Sequence, residues 1–170
     1  MTQQQPFTLI RTINDIEVRR YPDYVLVQAA VDGDFDRAGS KAFRPLFGYI
    51  TGANVGSTKF EMTAPVLQEQ VGETSHVVSF VLPEGVDASS VPLPKDAQVT
   101  TRTVPGHDAA ALRFRGGWSE KGFKARGDEL RGKVSAAGLE PVGDVYFARF
   151  DPPWMPGILK HNEVLVALRS

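Results

Sequence analysis

Three histidines are the side chains best suited to metal or acid–base chemistry in this sequence, and they lie far apart. His76, His107 and His161 belong to different segments, and no HxH or HExxH motif joins any of them. A metal site would require tertiary convergence, so we interpret each histidine as a turn or surface residue. The sequence also lacks cysteine, a P-loop, a GxGxxG segment and a GxSxG segment. The absence of cysteine excludes disulfides, thiolate metal sites and cysteine nucleophiles.

Two proline-interrupted segments carry large apolar side chains. Residues 151–157 combine three prolines with Trp154 immediately before an apolar strand candidate. A large aromatic ring in a rigid loop serves either as a structural plug or as one wall of a ligand site, and both interpretations stay open. Residues 60–66 place Met62 beside a proline, where we expect Met62 to pack in the core.

The segments that position these residues are mostly strands, because they are short, β-branched and bounded by turn signals. The strand candidates are residues 16–21, 24–32, 76–82, 97–104, 108–115, 143–150 and 162–168, with weaker candidates at 9–13 and 58–68. Two windows have helical periodicity: residues 36–50 and residues 119–137. Ser119 is the expected N-cap of the second window.

An internal repeat relates the two helical windows. Residues 18–55 align without a gap on residues 101–138 at an offset of 83, with seven identical pairs. Ordinary residue usage would give about two or three identities. The pattern predicts a duplicated strand–turn–strand–helix–strands unit, and hence an α+β fold in one domain spanning residues 1–170, with pseudo-repeat halves at about 16–95 and 96–170.

Composition limits the classes of partner and compartment. The chain has 170 residues and a net charge of −1, which gives no electrostatic support for a nucleic-acid partner. We see neither a signal peptide nor an apolar run long enough to span a membrane. We therefore expect a cytoplasmic protein that is a monomer or a weak homo-oligomer.

Four stretches give the chain a resemblance to the SOUL/haem-binding protein family. They are Ile16-Glu-Val-Arg-Arg-Tyr21, Ala42-Phe-Arg-Pro-Leu-Phe-Gly-Tyr-Ile50, Met62-Thr-Ala-Pro-Val66, and Pro152-Pro-Trp followed by Asn162-Glu-Val-Leu-Val166. The resemblance implies a duplicated motif forming a distorted antiparallel β-barrel flanked by two α-helices. The same fold resembles the effector-binding domains of bacterial transcription regulators.

The resemblance also implies that haem or another tetrapyrrole binds in a mostly apolar groove, for a carrier or buffer role. The implied cofactor-binding residues are Phe43, Phe47, Tyr49, Ile50, Trp154, Met155, Lys160 and His161. A flat apolar disc requires aromatic and aliphatic walls, with cations near its edge for the propionates. Lys41, Arg44 and Lys160 are candidates for those cations.

At the position of the proposed axial ligand, this chain differs from some members of the family it resembles. Some members carry a proposed axial histidine where this chain has Arg20, which cannot ligate iron. Either haem binds without an axial protein ligand, or His161 supplies one.

Two other classes of function stay open. A small-molecule effector-binding module would use Glu163 as the carboxylate for a flat cationic ligand. An enzyme acting on a tetrapyrrole or another small ring compound would use Glu163 or Glu61 as its acid–base group. We favour binding over catalysis.

Overall fold

The computed structural model describes residues 3–117, 119–151 and 155–169, which form an α+β structure with two α-helices. The strands are β1 (Gln3–Gln4), β2 (Thr8–Ile13), β3 (Ile16–Tyr21), β4 (Tyr24–Asp32), β5 (Thr63–Ala64), β6 (Val66–Gln70), β7 (Ser75–Val81), β8 (Val99–Val104), β9 (His107–Arg115), β10 (Pro141–Arg149) and β11 (His161–Leu168). The helices are α1 (Phe35–Ile50) and α2 (Glu120–Ala136). Short 3₁₀ turns occupy Ala88–Ser90 and Gly157–Leu159.

The chain divides into two compact units that are not contiguous in sequence. Unit 1 contains the described residues up to 5 together with residues 23–105, and unit 2 contains residues 6–22 together with those described after 105. The chain passes from one unit to the other at Pro22 and again at Pro105, the two prolines that the repeat aligns.

Unit 1 packs α1 against an antiparallel sheet in the order β6-β7-β4-β8. The helix buries one face, and its buried side chains are Phe35, Ala38, Ala42, Leu46, Tyr49 and Ile50. These side chains meet the inward residues of β4 and β7, such as Val27 and Phe80. Helical periodicity in the sequence predicted an apolar face of Ala42, Phe43, Leu46, Phe47 and Ile50. Ala42, Leu46 and Ile50 are buried, whereas Phe43 and Phe47 are about half exposed.

Unit 2 packs α2 against a second antiparallel sheet in the order β2-β3-β9-β11-β10. Ser119 caps α2, since its hydroxyl accepts a hydrogen bond from the Gly122 amide at 3.0 Å. The Phe123 ring lies 4.8 Å from that of Phe147 and 5.3 Å from that of Phe114, centroid to centroid. Phe114 and Phe147 therefore lie on the side of this sheet that faces α2, and alternation places residues 17, 19 and 21 of β3 on the other side.

The two units share one succession of elements. β8 has the bounds of β3 moved by 83 residues, and β9 has those of β4 moved by the same offset. In each unit the first strand of one repeat pairs with the second strand of the other: β8 pairs with β4, and β3 pairs with β9. Gly33 and Gly116 follow the matching strands β4 and β9 with φ of 120° and 141°, a conformation that favours glycine. Duplication itself stays a prediction, and no closed barrel is found among the described residues.

Candidate functional site

The exposed side of α1 carries two aromatic rings. Phe43 and Phe47 lie one helical turn apart and are 47% and 45% exposed. Their rings stack with centroids 5.4 Å apart and an interplanar angle of 13°. Phe43 also meets the Phe80 ring edge-on at 5.7 Å, which anchors the pair to the sheet of unit 1. Phe43 and Phe47 therefore form a half-exposed aromatic surface on α1.

Tyr49 and Ile50 are buried side chains near the end of α1. Both lie in the core of unit 1. The Tyr49 hydroxyl donates to the Pro92 carbonyl at 2.6 Å, and its ring stacks on Phe60. Burial raises the pKa of Tyr49. Both side chains hold α1 in place. Ile50 follows Phe43 and Phe47 on the same stripe of the helix, whereas Tyr49 lies on another side.

Asn54 fixes the loop that follows α1. It is fully buried, and its amide donates to the carbonyls of Tyr49 and Thr58, each at 2.8 Å. Its side-chain oxygen accepts from the Thr58 amide at 2.9 Å. Sequence reasoning did not identify Asn54, although it lies between two glycines in a segment rich in turn residues.

The cations proposed for the edge of the groove have different surroundings. Lys41 donates to the Asp32 carbonyl at 2.7 Å, so it stabilises the turn after β4. Lys160 is buried in unit 2. Arg44 is exposed and adjacent to Phe43, and within the described part of the chain its side chain makes no ion pair or hydrogen bond. Arg44 is therefore the cation of α1 best suited to an anionic group.

The loop before β11 is described in part. Trp154 lies outside the described residues. Met155 is half-buried in unit 2 and precedes the 3₁₀ turn Gly157–Leu159. Met62, in unit 1, packs against the core as expected, and Glu61 beside it is exposed.

His161 begins β11 with its ring stacked on Phe150 at 4.6 Å. Its backbone amide donates to the Asp151 carboxylate. Its Nε2 atom is buried 3.7 Å from Glu163 Oε2, and no hydrogen-bond partner for it is found among the described residues. This nitrogen is directed at a carboxylate inside unit 2.

Arg20 forms an ion pair with Asp108 on the neighbouring strand. The hydrogen bond and charge of Asp108 raise the pKa of Arg20. Arg20 therefore stabilises the β3–β9 pairing at the position where some family members carry histidine.

Glu163 is buried and paired. It is 1% exposed, and its carboxylate accepts hydrogen bonds of 2.8 and 2.7 Å from the two terminal nitrogens of Arg19, which is equally buried. Burial alone would raise the pKa of Glu163, but the hydrogen bonds and charge of Arg19, together with the neighbouring His161 and Arg113, outweigh burial and lower the pKa to about 2. Arg113 lies at 3.5 Å, so Glu163 faces two guanidinium groups. Its negative charge is already neutralised within unit 2.

Tyr21 and Glu17 complete the surroundings of Arg19. The Arg19 guanidinium donates to the Tyr21 hydroxyl and to a Glu17 oxygen, each at 3.0 Å. Burial raises the pKa of Tyr21 to about 12, although the charge of Arg19 opposes this rise. Sequence reasoning missed Arg19 and Tyr21. The available signal was alternation on β3, which places residues 17, 19 and 21 on one side of the sheet.

A tetrapyrrole fits these residues by contact better than by axial ligation. The stacked rings of Phe43 and Phe47 offer an apolar surface, with Arg44 next to them. Arg20 cannot ligate iron, and the Nε2 atom of His161 is buried against Glu163. In the parts of the chain that the structure describes, no three histidine or carboxylate groups cluster as a metal site, and no helix is long and apolar enough to cross a membrane.

Solved structures with this fold include proteins of several kinds. The crystal structure of the EcmrR C-terminal domain matches with a TM-score of 0.67 and 12% identity, covering 91% of this chain and 97% of that one. A hydrolase from Listeria innocua matches with a TM-score of 0.62 and 11% identity, covering 94% of each chain. A structure of SAV2435 bound to tetraphenylphosphonium matches with a TM-score of 0.52 and 10% identity, covering 91% and 94%. At these identities the likeness concerns the fold.

Sequence comparison is more specific. No curated protein matches the chain. The family model described as SOUL heme-binding protein matches residues 2–167, nearly the whole sequence, and this family supports haem or tetrapyrrole binding in general. The chain belongs to the SOUL heme-binding protein family.

Proposed function

We propose that this protein binds haem or a related tetrapyrrole on the Phe43–Phe47 surface of α1 and acts as a carrier or buffer. The observation that carries the proposal is the stacked aromatic pair, which is half exposed on an otherwise well-packed helix. Aromatic rings left exposed next to a cation suit a flat apolar disc with anionic substituents. Arg44 would pair with a propionate.

The groove is mostly apolar in this proposal, and binding depends on contact area rather than on an iron–protein bond. For Trp154, Met155, Lys160 and His161 a binding role stays an expectation that the family resemblance implies, and in this proposal Tyr49 and Ile50 act by supporting α1. Contact-dominated binding should be weak. We expect a dissociation constant in the micromolar range, where about 8 kcal/mol corresponds to 1 μM.

Haemin titration followed at the Soret band tests the proposal. Phe47→Ala should weaken binding by about 1–3 kcal/mol, because it removes one large apolar contact. Val71→Ala is the matched control, since Val71 is 45% exposed in the same unit but lies outside α1. Equal affinities of Phe47→Ala, Val71→Ala and the native chain would contradict the assignment to α1.

Binding of an apolar organic cation is a second candidate function, favoured by the fold likeness to the structure bound to tetraphenylphosphonium, a tetrahedral cation with four phenyl rings. Against it, the Glu163 carboxylate is already bound by Arg19. Titration of the native chain with tetraphenylphosphonium separates the two candidates. An enzyme acting on a small ring compound would be identified by product formation over hours.

The remaining expectations belong to the same proposal. We infer a single domain built from a duplicated motif that forms a distorted antiparallel β-barrel flanked by two α-helices. We also infer a cytoplasmic protein that is a monomer or weak homo-oligomer with no nucleic-acid partner. The coinciding bounds of β3 with β8 and of β4 with β9 support the duplication. Superposition of residues 18–55 on 101–138 in an experimental structure tests it.

A further inference from the structure

Four side chains of unit 2 surround the guanidinium group of Arg19. The terminal nitrogens of Arg19 donate four hydrogen bonds, two to Glu163, one to Tyr21 and one to Glu17, with lengths from 2.7 to 3.0 Å. The Phe7 ring covers the guanidinium, with its centroid 4.2 Å from the Arg19 Cζ atom. A carboxylate fork, further oxygen acceptors and an aromatic ring are the groups that recognise a planar cation.

These surrounding groups are held independently of the Arg19 side chain. Glu163 lies on β11, opposite Arg113 of β9 in the strand register. Tyr21 and Glu17 lie on β3, and Phe7 precedes β2 with its ring 5.6 Å from that of Tyr21. Backbone pairing of β3 with β9 and of β9 with β11 fixes the acceptors. Removal of the guanidinium therefore leaves the strands that carry them paired.

Both terminal nitrogens of Arg19 are hydrogen-bonded, but within the described part of the chain its third nitrogen, Nε, is not. Arg19 Nε is buried, and no hydrogen-bond partner for it is found among the described residues. A buried donor without a partner is unfavourable. An amidinium cation has the same two terminal NH₂ groups and lacks the N–H that corresponds to Nε, so it matches the acceptors without leaving a donor unpaired.

We propose that Glu163, Tyr21, Glu17 and Phe7 form a binding site for a planar amidinium or guanidinium cation, and that Arg19 of the same chain occupies this site in the folded protein. In the native chain the site is closed to outside cations, because the tethered guanidinium competes intramolecularly. This inference is independent of tetrapyrrole binding on α1.

The test uses full-length Arg19→Ala titrated with the chloride salts of acetamidinium, methylguanidinium and methylammonium at constant ionic strength. Calorimetry and the thermal denaturation midpoint report binding. We expect saturable binding of acetamidinium and methylguanidinium to Arg19→Ala, with a rise in the midpoint, and no saturable binding to the native chain. Methylammonium lacks the planar fork and should bind at least about tenfold more weakly.

A double variant controls for the carboxylate. In Arg19→Ala/Glu163→Gln the charge-assisted fork is lost, so acetamidinium affinity should fall at least about tenfold. If Arg19→Ala alone does not fold, the readout becomes recovery of its native circular dichroism on refolding with acetamidinium, with methylammonium as control. Equal effects of acetamidinium and methylammonium, no effect of either, or saturable binding of acetamidinium to the native chain would overturn the proposal.

Discussion

The Arg19 guanidinium and the Glu163 carboxylate, 144 residues apart in sequence, bind each other through two hydrogen bonds inside unit 2. Both side chains are almost fully buried, so each would be a desolvated charge without the other. The pair therefore ties β3, near the start of the sequence, to β11, near its end.

Loss of both partners should cost less than the sum of the two single losses. Arg19→Met or Glu163→Gln alone should lower the free energy of unfolding by about 3–5 kcal/mol, because the buried group that remains has lost its main partner. The double variant should be more stable than the sum of the single changes predicts. Urea denaturation of the four chains measures this coupling, and additivity within about 0.5 kcal/mol would refute it.

Low pH should decrease the free energy of unfolding because Glu163 becomes protonated. The pKa of Glu163 is about 2 in the folded chain against an ordinary value of 4.5, so the unfolded chain takes up a proton first as the pH falls. The stabilisation is complete above pH 4.5 and disappears towards pH 2. It amounts to about 3 kcal/mol. Over this window Arg19→Met/Glu163→Gln should lose less stability than the native chain, and parallel pH profiles would count against the assignment.

His161→Ala should leave haem binding almost unchanged. Its Nε2 atom is buried beside Glu163, so we expect the haemin complex to keep its Soret position and its micromolar affinity. Absorbance titration measures both. A shifted Soret band together with a changed spin state would show instead that His161 ligates the iron.

Asn54 should contribute to stability through its amide protons. Asn54→Ala removes this donor from the carbonyls of Tyr49 and Thr58, and the Tyr49 carbonyl still accepts from the Gly52 amide. The cost should therefore be about 1–3 kcal/mol, the scale for one unsatisfied group. Asn54→Asp has nearly the same shape but cannot donate at neutral pH, so it should be destabilised as well. Native-like urea denaturation of Asn54→Asp would show that shape alone suffices.

Local pattern predicted most of the elements. β3 and β4 have the predicted bounds, and α1 begins one residue before its predicted window and ends with it. Turn prolines, β-branched runs and helical periodicity act over a few residues, so a single sequence contains them. The weak candidate at 58–68 separated into β5 and β6, because Pro65 cannot donate to a strand ladder.

Local sequence patterns could not predict which polar groups from distant parts of the chain lie next to each other. The sequence suggested Glu163 as a ligand carboxylate or an acid–base group, and it gave no sign that Glu163 pairs with a buried arginine from β3. Alternation fixes the side of the sheet on which each residue lies, but not which strand lies beside it. Here β3 pairs with β9 of the other repeat, just as β8 pairs with β4. This exchange determines which strand lies beside β3.

During protein synthesis β3 is made well before its partner strand β9. The ribosome completes β2 and β3 about 90 residues before it completes β9, a delay of roughly 5 to 20 seconds at about 5–20 residues per second. During that interval Ile16 and Val18, buried in the finished protein, belong to a nascent hairpin whose partner strand does not yet exist. Unit 1, in contrast, has all its strands once Val104 has left the exit tunnel. The order of translation therefore favours early folding of unit 1 and leaves β3 open to mispairing until the second repeat emerges.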